Sequence, residues 1–214
     1  MRFILMHPDG EVEHLDLQIR RVILGGWTGR DRDEVLSHIE ELKRLGIPEP
    51  DRVPSFFPVP VDLLRSSSSI QVLSDRTNGE VEYVLFVERG EPSYVTVGSD
   101  HTDREVERIN VHLSKLLYPK VVAPILWSYD DVRDHWDELT LSMEVDGSIA
   151  QESRVSSIIH PEKLLEICDE DCVIFSGSIK WKDGTLRFGK RYKISLKDPV
   201  LNRSISFSYE AVRI

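Results

Sequence analysis

The amino-acid sequence predicts an α+β fold that is dominated by antiparallel or mixed strands and contains a few short helices. Short runs rich in β-branched and aromatic residues recur along the chain, and turn pairs such as Asp146-Gly147 and Asp183-Gly184 separate them. The chain lacks the regular alternation of strands and helices that is typical of a parallel, doubly wound sheet. Its 214 residues suit a single domain, 1–214.

The composition narrows the classes of function. The chain carries 27 Lys and Arg residues against 37 Asp and Glu residues, which gives a formal net charge of −10. Without a cluster of basic residues, such a chain is a poor candidate for binding nucleic acid. No apolar run approaches the length of about 20 residues that spans a membrane, and the N-terminus does not fit a secretory signal. We therefore expect a cytoplasmic protein in which Cys168 and Cys172 are reduced thiols.

The first part of the chain, residues 1–60, is predicted to form a hairpin, a helix and a proline-rich connector. Strands are expected at 3–6 and 11–24, on either side of a Pro-Asp-Gly turn. A helix is predicted at 31–45 because Asp31 can cap its start, and a glycine and a proline follow its end. Five prolines in the next stretch favour an extended connector.

The remainder, residues 61–214, is predicted to be mostly strand, with Gly and Pro residues separating the elements. Two helices are expected, at 103–117 and 161–168. Strands are expected at 70–73, 80–87, 94–97, 121–128, 139–145, 172–181, 185–196 and 203–212.

The first candidate for chemistry is a pair of acidic residues, Glu80 and Glu82, on one of these strands. Residues two apart on a strand point to the same face, so the two carboxylates project side by side, and Val84 and Phe86 continue that face. Burying two carboxylates is costly unless positive charge joins them, and a divalent cation with oxygen ligands would supply it. A solvent-facing alternation of glutamate and apolar residues is the more common explanation of an isolated Glu-x-Glu pattern.

The second candidate is the loop 98–105, which joins a predicted strand to a predicted helix. Thr102 and Glu105 have the spacing of a capping box, which explains those two residues structurally. It does not explain Asp100, which could add a third carboxylate to a cation site, nor the neighbouring Arg104.

The third candidate is His38 with Glu41, three residues apart on the helix predicted at 31–45. Helical projection places His38 inside the apolar stripe of that helix, where a histidine is more often a core residue than a catalyst. A carboxylate at this spacing can also hold a histidine in one tautomer and make it more basic, as a water-activating base requires.

Taken in order, these motifs resemble the fumarylacetoacetate hydrolase (FAH) superfamily. Its members carry a His-x-x-Glu lid helix, a proline-rich stretch, a Glu-x-Glu strand, a Gly-Asn-Asp-x-Ser-x-Arg-Asp-like loop and a late Thr-Gly-Thr-Pro turn. The chain matches these with His38 and Glu41, the prolines that follow, Glu80 and Glu82, the loop 98–105, and the turn 176–179. Gly25-Gly26-Trp27 and Ser99-to-Arg104 are most similar to an uncharacterised bacterial subfamily, DUF2848. The chain departs from the pattern where Glu34-Val35 replaces Asn-Tyr and where Ile179 replaces the last proline.

The resemblance implies an FAH-like mixed β-sheet roll, paired as a homodimer, in which residues 61–214 form the metal-binding catalytic core. It implies Mg²⁺ or Mn²⁺, with Ca²⁺ as an alternative, held by Glu80, Glu82 and Asp100. It also implies His38 as general base oriented by Glu41, and a pocket lysine, for which Lys120 is preferred over Lys115. Ser178 and Arg104 would donate hydrogen bonds to a substrate.

The reaction implied first is hydrolysis of a C–C bond in a small 2-oxo or 1,3-dicarbonyl acid, of the acylpyruvate kind. Decarboxylation or tautomerisation of an oxo acid on the same site is the alternative. A small-molecule binding module that has lost the chemistry is an alternative of another class.

Overall fold

The computed structural model describes residues 1–44, 49–166, 168 and 171–214, and the side chains of residues 41 and 42 lie outside this description. The strands are β1 (Arg2–Met6), β2 (Val12–Asp16), β3 (Val22–Gly26), β4 (Ser55–Val59), β5 (Leu64–Arg65), β6 (Ser69–Val72), β7 (Thr77–Asn78), β8 (Val81–Glu88), β9 (Glu91–Asp100), β10 (Thr102–Asp103), β11 (Lys120–Val122), β12 (Ile125–Ser128), β13 (Thr140–Val145), β14 (Ser148–Arg154), β15 (Cys172–Phe175), β16 (Arg191–Asp198) and β17 (Arg203–Arg213). The helices are α1 (Arg32–Arg44), α2 (Arg104–Glu107), α3 (Val111–Leu116) and α4 (Pro161–Leu165). These elements confirm the predicted α+β class with short helices.

Two mixed sheets form the body of the fold. The larger sheet has the order β2-β1-β12-β9-β8-β15-β3-β4, with β11 and β5 branching from β9. The second sheet has the order β14-β13-β16-β17-β6, and β8 and β9 pack against its strands β13, β16 and β17. Most neighbouring strands are antiparallel, but β1 with β12, β15 with β3, β11 with β5 and β17 with β6 are parallel. Such mixed pairing is what the resemblance to a β-sheet roll implied.

Strand β8 is buried on both faces, which explains its nearly continuous apolar sequence. Tyr83 and Leu85 point towards the second sheet and join the larger apolar cluster. Val84 and Phe86 point to the opposite face, where they pack with Phe3 in a second cluster. Because Glu82 shares the face of Val84 and Phe86, its carboxylate lies at the end of an apolar strip.

The N-terminal elements differ from the prediction in one respect. The strand predicted at 11–24 is two strands, because β2 pairs with β1 whereas β3 leaves that hairpin to pair with β15 and β4. Asp31 caps α1 as predicted, since its carboxylate accepts a hydrogen bond from the Glu34 amide at 3.0 Å. The predicted helix end at residue 45 lies outside the described residues.

The helix predicted at 103–117 is two short helices, α2 and α3. Asn110 interrupts it, because its side chain accepts a hydrogen bond from the Leu113 amide at 2.9 Å and starts a new helix. The cap of α2 is also different from the prediction. Asp103, rather than Thr102, accepts from the Glu105 amide at 3.0 Å, and Thr102 belongs to β10.

Two further expectations are corrected in the C-terminal part. Strand β14 was not predicted, although the Asp146-Gly147 turn before it was. In the structure both residues of this turn have positive φ. That turn makes β13 and β14 a hairpin. Cys168 and Cys172 were expected as reduced thiols, but the structure joins them as a disulfide where the chain after α4 enters β15. Among the described residues, no helix combines the length and apolar character needed to cross a membrane.

Gly98 lies where β9 packs closely against its neighbours. A Cβ at this position would lie 2.6 Å from Phe175 Cε1 and 2.6 Å from Val84 Cγ2, which real Cβ atoms do not tolerate. We expect Gly98→Ala to lower the free energy of unfolding by about 1–3 kcal/mol through overpacking, as measured by urea denaturation. Ser208→Ala, at an exposed position of β17, is the control and should change it by less than about 0.5 kcal/mol. Equal stability of the two variants would contradict this packing.

Candidate metal centre

The antiparallel register of β8 and β9 brings distant carboxylates together. Glu82 lies opposite Gly98, and the Asp100 amide donates to the Glu80 carbonyl at 3.0 Å. One ligand oxygen from each of Glu80, Glu82 and Asp100 lies within 4.8 Å of the others. The structure therefore brings together the three residues that the sequence analysis assigned to a cation, and their role as ligands stays a prediction.

The three carboxylates have different electrostatic surroundings. Glu82 is 1% exposed, and its Oε2 accepts a hydrogen bond from the Gly177 amide at 2.7 Å. Burial, and next the negative charge of Asp100, raise the pKa of Glu82 well above its ordinary value. Burial acts on Glu80 in the same direction, but Arg104 and Lys115 outweigh it and lower the pKa of Glu80.

Asp100 is fully buried between two ammonium groups. Its Oδ2 lies 2.6 Å from Lys115 Nζ, and its Oδ1 lies 2.6 Å from Lys120 Nζ. Burial would raise the pKa of Asp100, but the two lysines lower it below its ordinary value. Burial lowers the pKa of Lys120, whereas Asp100 and Glu80 outweigh burial at Lys115 and raise its pKa.

Lys120 was preferred over Lys115 as the pocket lysine, and both side chains contact Asp100. Lys120 lies on β11, directly opposite Asp100 on β9, and its Nζ also donates to the His101 carbonyl at 2.9 Å. Lys115 lies on α3, and its Nζ is 3.4 Å from Glu80 Oε2. The two lysines thus reach the same carboxylate from different elements.

Arg104 is engaged with protein groups on all sides. Its Nη2 lies 2.9 Å from Glu80 Oε1, its Nε donates to Asn78 Oδ1 at 2.6 Å, and its Nη1 donates to Glu107 Oε2 at 2.7 Å. The sequence analysis assigned Arg104 to a substrate. In this arrangement its guanidinium holds Glu80 in place.

The late turn after β15 closes one side of the centre. Gly177 has φ of +84°, a conformation that favours glycine, and this orients its amide towards Glu82. Ser178 follows, and its hydroxyl accepts a hydrogen bond from Gln151 Nε2 at 2.8 Å. Gln151 Oε1 accepts from the Val81 amide at 3.0 Å, so this one side chain ties the turn to the start of β8.

A layer of aromatic and hydroxyl groups beneath the carboxylates was not predicted. Tyr209 OH lies 2.9 Å from Ser99 Oγ and 3.0 Å from His101 Nδ1, and Ser99 Oγ accepts from the Glu80 amide at 3.2 Å. Burial, with the nearby charges of Lys120 and Arg104, lowers the pKa of His101 to about 3, so its ring is neutral. Tyr209 lies more than 100 residues away in sequence, and no local pattern reveals such a contact.

The two residues assigned to proton transfer, His38 and Glu41, lie on α1. His38 is exposed, so the prediction that it lies inside an apolar stripe is wrong; Ile39 is the buried residue among the described side chains of α1. The side chain of Glu41 lies outside the described residues. The start of α1 reaches the late turn, since Glu34 forms an ion pair with Lys180.

The donor set suits a hard divalent cation. All three candidate ligands are carboxylate oxygens, which Mg²⁺ and Mn²⁺ prefer. Asp100 Oδ2 is buried and makes no hydrogen bond of good geometry with any described residue, although Lys115 faces it. Glu80 is the most exposed of the three, and its side chain is 15% exposed. Two surface concavities of ≈ 770 and ≈ 650 Å³ lie elsewhere, on the β8–β9 hairpin and along β16 and β17.

The raised pKa of Glu82 leads to a prediction about pH. Folded Glu82 holds its proton more tightly than the unfolded chain does, so its contribution to stability is present at low pH and is lost as the pH rises through the folded pKa. In EDTA, we expect the free energy of unfolding to fall above the ordinary carboxyl value of 4.5, and to fall less in Glu82→Gln. Asp100 and Glu80, whose pKa values are lowered, are ionised in both states in this range.

Urea unfolding at several pH values between about 5 and 8 measures this effect. Glu152, an exposed carboxylate on β14, provides the matched control Glu152→Gln. In this variant the free energy of unfolding should change with pH at the same slope as in the unmodified protein. A slope in Glu82→Gln equal to that of the control would contradict the raised pKa.

Comparison with solved structures reveals the same architecture. Fumarylpyruvate hydrolase from Pseudomonas aeruginosa, in complex with Mn²⁺ and pyruvate, matches at a TM-score of 0.67 with 16% identity, over 100% of this chain and 97% of that chain. 5-Carboxymethyl-2-hydroxymuconate delta-isomerase from Mycobacterium smegmatis matches at 0.65 with 18% identity, over 92% and 80% of the two chains. A yeast fumarylacetoacetate hydrolase family protein matches at 0.64 with 18% identity, over 91% and 94%.

At the level of sequence, the chain matches the family described as "Protein of unknown function (DUF2848)" over residues 25–209. A search of curated proteins finds no match. The family match covers most of the chain, including the three carboxylates and both lysines. The chain therefore belongs to the DUF2848 family and has the fold of the fumarylacetoacetate hydrolase superfamily.

Proposed function

We propose that this protein is a divalent-metal-dependent hydrolase that cleaves a C–C bond in a small 2-oxo or 1,3-dicarbonyl acid. One observation carries the proposal: Glu80, Glu82 and Asp100 converge within 4.8 Å in a largely buried setting. Carboxylates packed this closely repel one another and are costly to bury, so an arrangement that keeps all three is well explained by a cation. The fold shared with a fumarylpyruvate hydrolase that was crystallised with Mn²⁺ and pyruvate supports the same reading.

The proposed cofactor is Mg²⁺ or Mn²⁺, with Ca²⁺ as an alternative, held by Glu80, Glu82 and Asp100. When bound, such an ion supplies a Lewis acid that polarises a carbonyl group and stabilises developing negative charge. The protein prepares the ligands in advance. Arg104 fixes Glu80, the Gly177 amide fixes Glu82, and the backbone pairing of β9 fixes Asp100.

The remaining roles fall to groups at the edge of the cluster. Lys120 provides positive charge beside Asp100 for a substrate carboxylate, and Ser178 offers a hydroxyl on the turn that also carries Gly177. Hydrolysis adds the hydroxyl of water to the acyl carbon and a proton to the released carbon. We assign His38 to remove the proton of that water, with Glu41 as its orienting partner.

The position of α1 supports this assignment of His38. Glu34 forms an ion pair with Lys180, two residues beyond Ser178, so the first turn of α1 is attached to the edge of the centre. His38 lies four residues after Glu34 and therefore on the same helix face. We propose that α1 closes over the centre as a lid when substrate binds, in a protein that is cytoplasmic and homodimeric.

The exposure of His38 favours a second candidate reaction. Decarboxylation or tautomerisation of a small oxo acid needs no activated water, so it does not require His38 to reach the centre. A binding module without catalysis is the remaining alternative, and it predicts a bound small molecule without metal or turnover.

Substitutions at the carboxylates and at His38 separate these functions. We expect Asp100→Ala and Glu80→Ala to weaken Mn²⁺ binding by more than about 100-fold. Loss of a residue that only hydrogen-bonds a metal ligand already costs up to about 100-fold in affinity, and loss of the ligand itself should cost more. His38→Ala should bind Mn²⁺ as the unmodified protein does and lose hydrolysis. Calorimetric titration with Mn²⁺ and a circular dichroism spectrum of each variant measure binding and folding. Glu13→Ala, at an exposed position of β2, is the control.

A screen of oxo acids and 1,3-dicarbonyl acids with Mn²⁺, and again with EDTA, tests the reaction itself. Turnover that needs Mn²⁺ and is lost in His38→Ala supports hydrolysis. Turnover that survives in His38→Ala assigns the site to decarboxylation or tautomerisation. Undiminished turnover by Asp100→Ala would eliminate the metal centre.

A further inference from the structure

Lys115 is a buried charge that the proposed reaction does not use. Its side chain is 7% exposed, and its Nζ lies 2.6 Å from Asp100 Oδ2 and 3.4 Å from Glu80 Oε2. A single ammonium group therefore contacts two of the three proposed ligands. Lys115 Nζ also lies 3.4 Å from Thr102 Oγ1. The ammonium group is therefore at the centre of the cluster and not at its edge.

Lys120 differs from Lys115 although both contact Asp100. Its Nζ lies 2.6 Å from the other oxygen, Oδ1, and a backbone carbonyl, that of His101, accepts its hydrogen bond. The stem of Lys120 is fixed by the β9–β11 ladder, where it pairs with Asp100. Lys120 thus neutralises Asp100 from within the sheet. Lys115 instead contacts both Asp100 Oδ2 and Glu80 Oε2.

A divalent cation and the Lys115 ammonium cannot share this position. Mg²⁺ and Mn²⁺ bind carboxylate oxygens at roughly 2.1 Å. An ion at that distance from both Asp100 Oδ2 and Glu80 Oε2, on the side where Lys115 lies, would overlap the ammonium group. Two cations at such a separation in a buried setting also repel strongly. Lysine has a flexible four-carbon stem, so its head can leave without any change in the backbone of α3.

We propose that Lys115 is an internal competitor of the divalent cation. Its ammonium group balances Asp100 and Glu80 when no metal is bound, and it leaves them when the cation enters. Lys115 therefore weakens metal binding and stabilises the metal-free protein. Because binding is weaker, the fraction of protein that holds a metal ion depends on the concentration of the free cation. This inference rests on the proposed metal centre, and it concerns a residue to which the proposed reaction gives no role.

Substitution of Lys115 tests the competition directly. The unmodified protein, Lys115→Met and Lys115→Gln are titrated with Mn²⁺ by calorimetry, and their thermal unfolding is followed in EDTA and in Mn²⁺. We expect both variants to bind Mn²⁺ about 10- to 100-fold more tightly, because the competing ammonium group and its repulsion of the incoming cation are removed. They should unfold at a lower temperature than the unmodified protein in EDTA, and gain more from Mn²⁺. Asp100 keeps Lys120 and Glu80 keeps Arg104, so both variants retain charged partners for folding.

Lys120→Met is the matched control, because it removes the same charge at the same distance from Asp100. A gain in affinity confined to the Lys115 variants supports competition for one position. An equal gain in Lys120→Met, or no gain in either Lys115 variant, overturns it. If the unmodified protein binds no Mn²⁺ but Lys115→Met binds one ion, the competitor is supported while the metal-dependent function fails. If the unmodified protein and Lys115→Met bind Mn²⁺ equally, the function stands and the competitor is overturned.

Discussion

The repulsion among three buried carboxylates is the constraint on which the rest of the centre depends. Glu82 and Asp100 are essentially inaccessible to water, and Glu80 is only slightly exposed. Carboxylates in such a place must be protonated, paired with cations or bound to metal. The protein pairs Asp100 with two lysines and Glu80 with Arg104 and Lys115. Among the described residues, the hydrogen-bond donor to Glu82 is the Gly177 amide. The uneven distribution of partners explains why the pKa of Glu82 is raised while those of its neighbours are lowered.

The sheet supplies the rigid part of this arrangement. The β8–β9 hairpin fixes Glu82 opposite Gly98, and β11 fixes Lys120 opposite Asp100, so the spacing of these charges follows from backbone hydrogen bonds. Gln151 then ties β14, the start of β8 and the late turn into one unit. Because a shift of one residue in either ladder would turn the carboxylates to the opposite face, the register of the sheet decides whether the centre exists.

The sequence predicts the carboxylates well because their signal is local. Strand periodicity places Glu80 and Glu82 on one face, and the ordered motifs bring in Asp100 through the resemblance to a family. Lys120 was preferred and Lys115 was the alternative, because the family's lysine has no certain counterpart in the sequence. The helix start at Asn110, which precedes Lys115 on α3, was not predicted. The contacts of Tyr209 with Ser99 and His101 join strands that meet only in the folded chain. Local patterns therefore predict which carboxylates come together, and long-range packing decides what surrounds them.

The centre and the helix that carries His38 differ in how firmly the fold holds them. The carboxylates sit on buried strands that are paired on both sides, whereas α1 buries Ile39 among its described side chains and reaches the late turn through the exposed pair of Glu34 and Lys180. Exposed ion pairs contribute little to stability, so the pair of Glu34 and Lys180 adds little to the attachment of α1. In the proposed function, a charged acid has to reach a buried cation, and α1 is the element proposed to open and close over it. The proposed division between fixed ligands and a lid that closes therefore rests on the contrast between buried, paired strands and a helix that an exposed ion pair joins to the late turn.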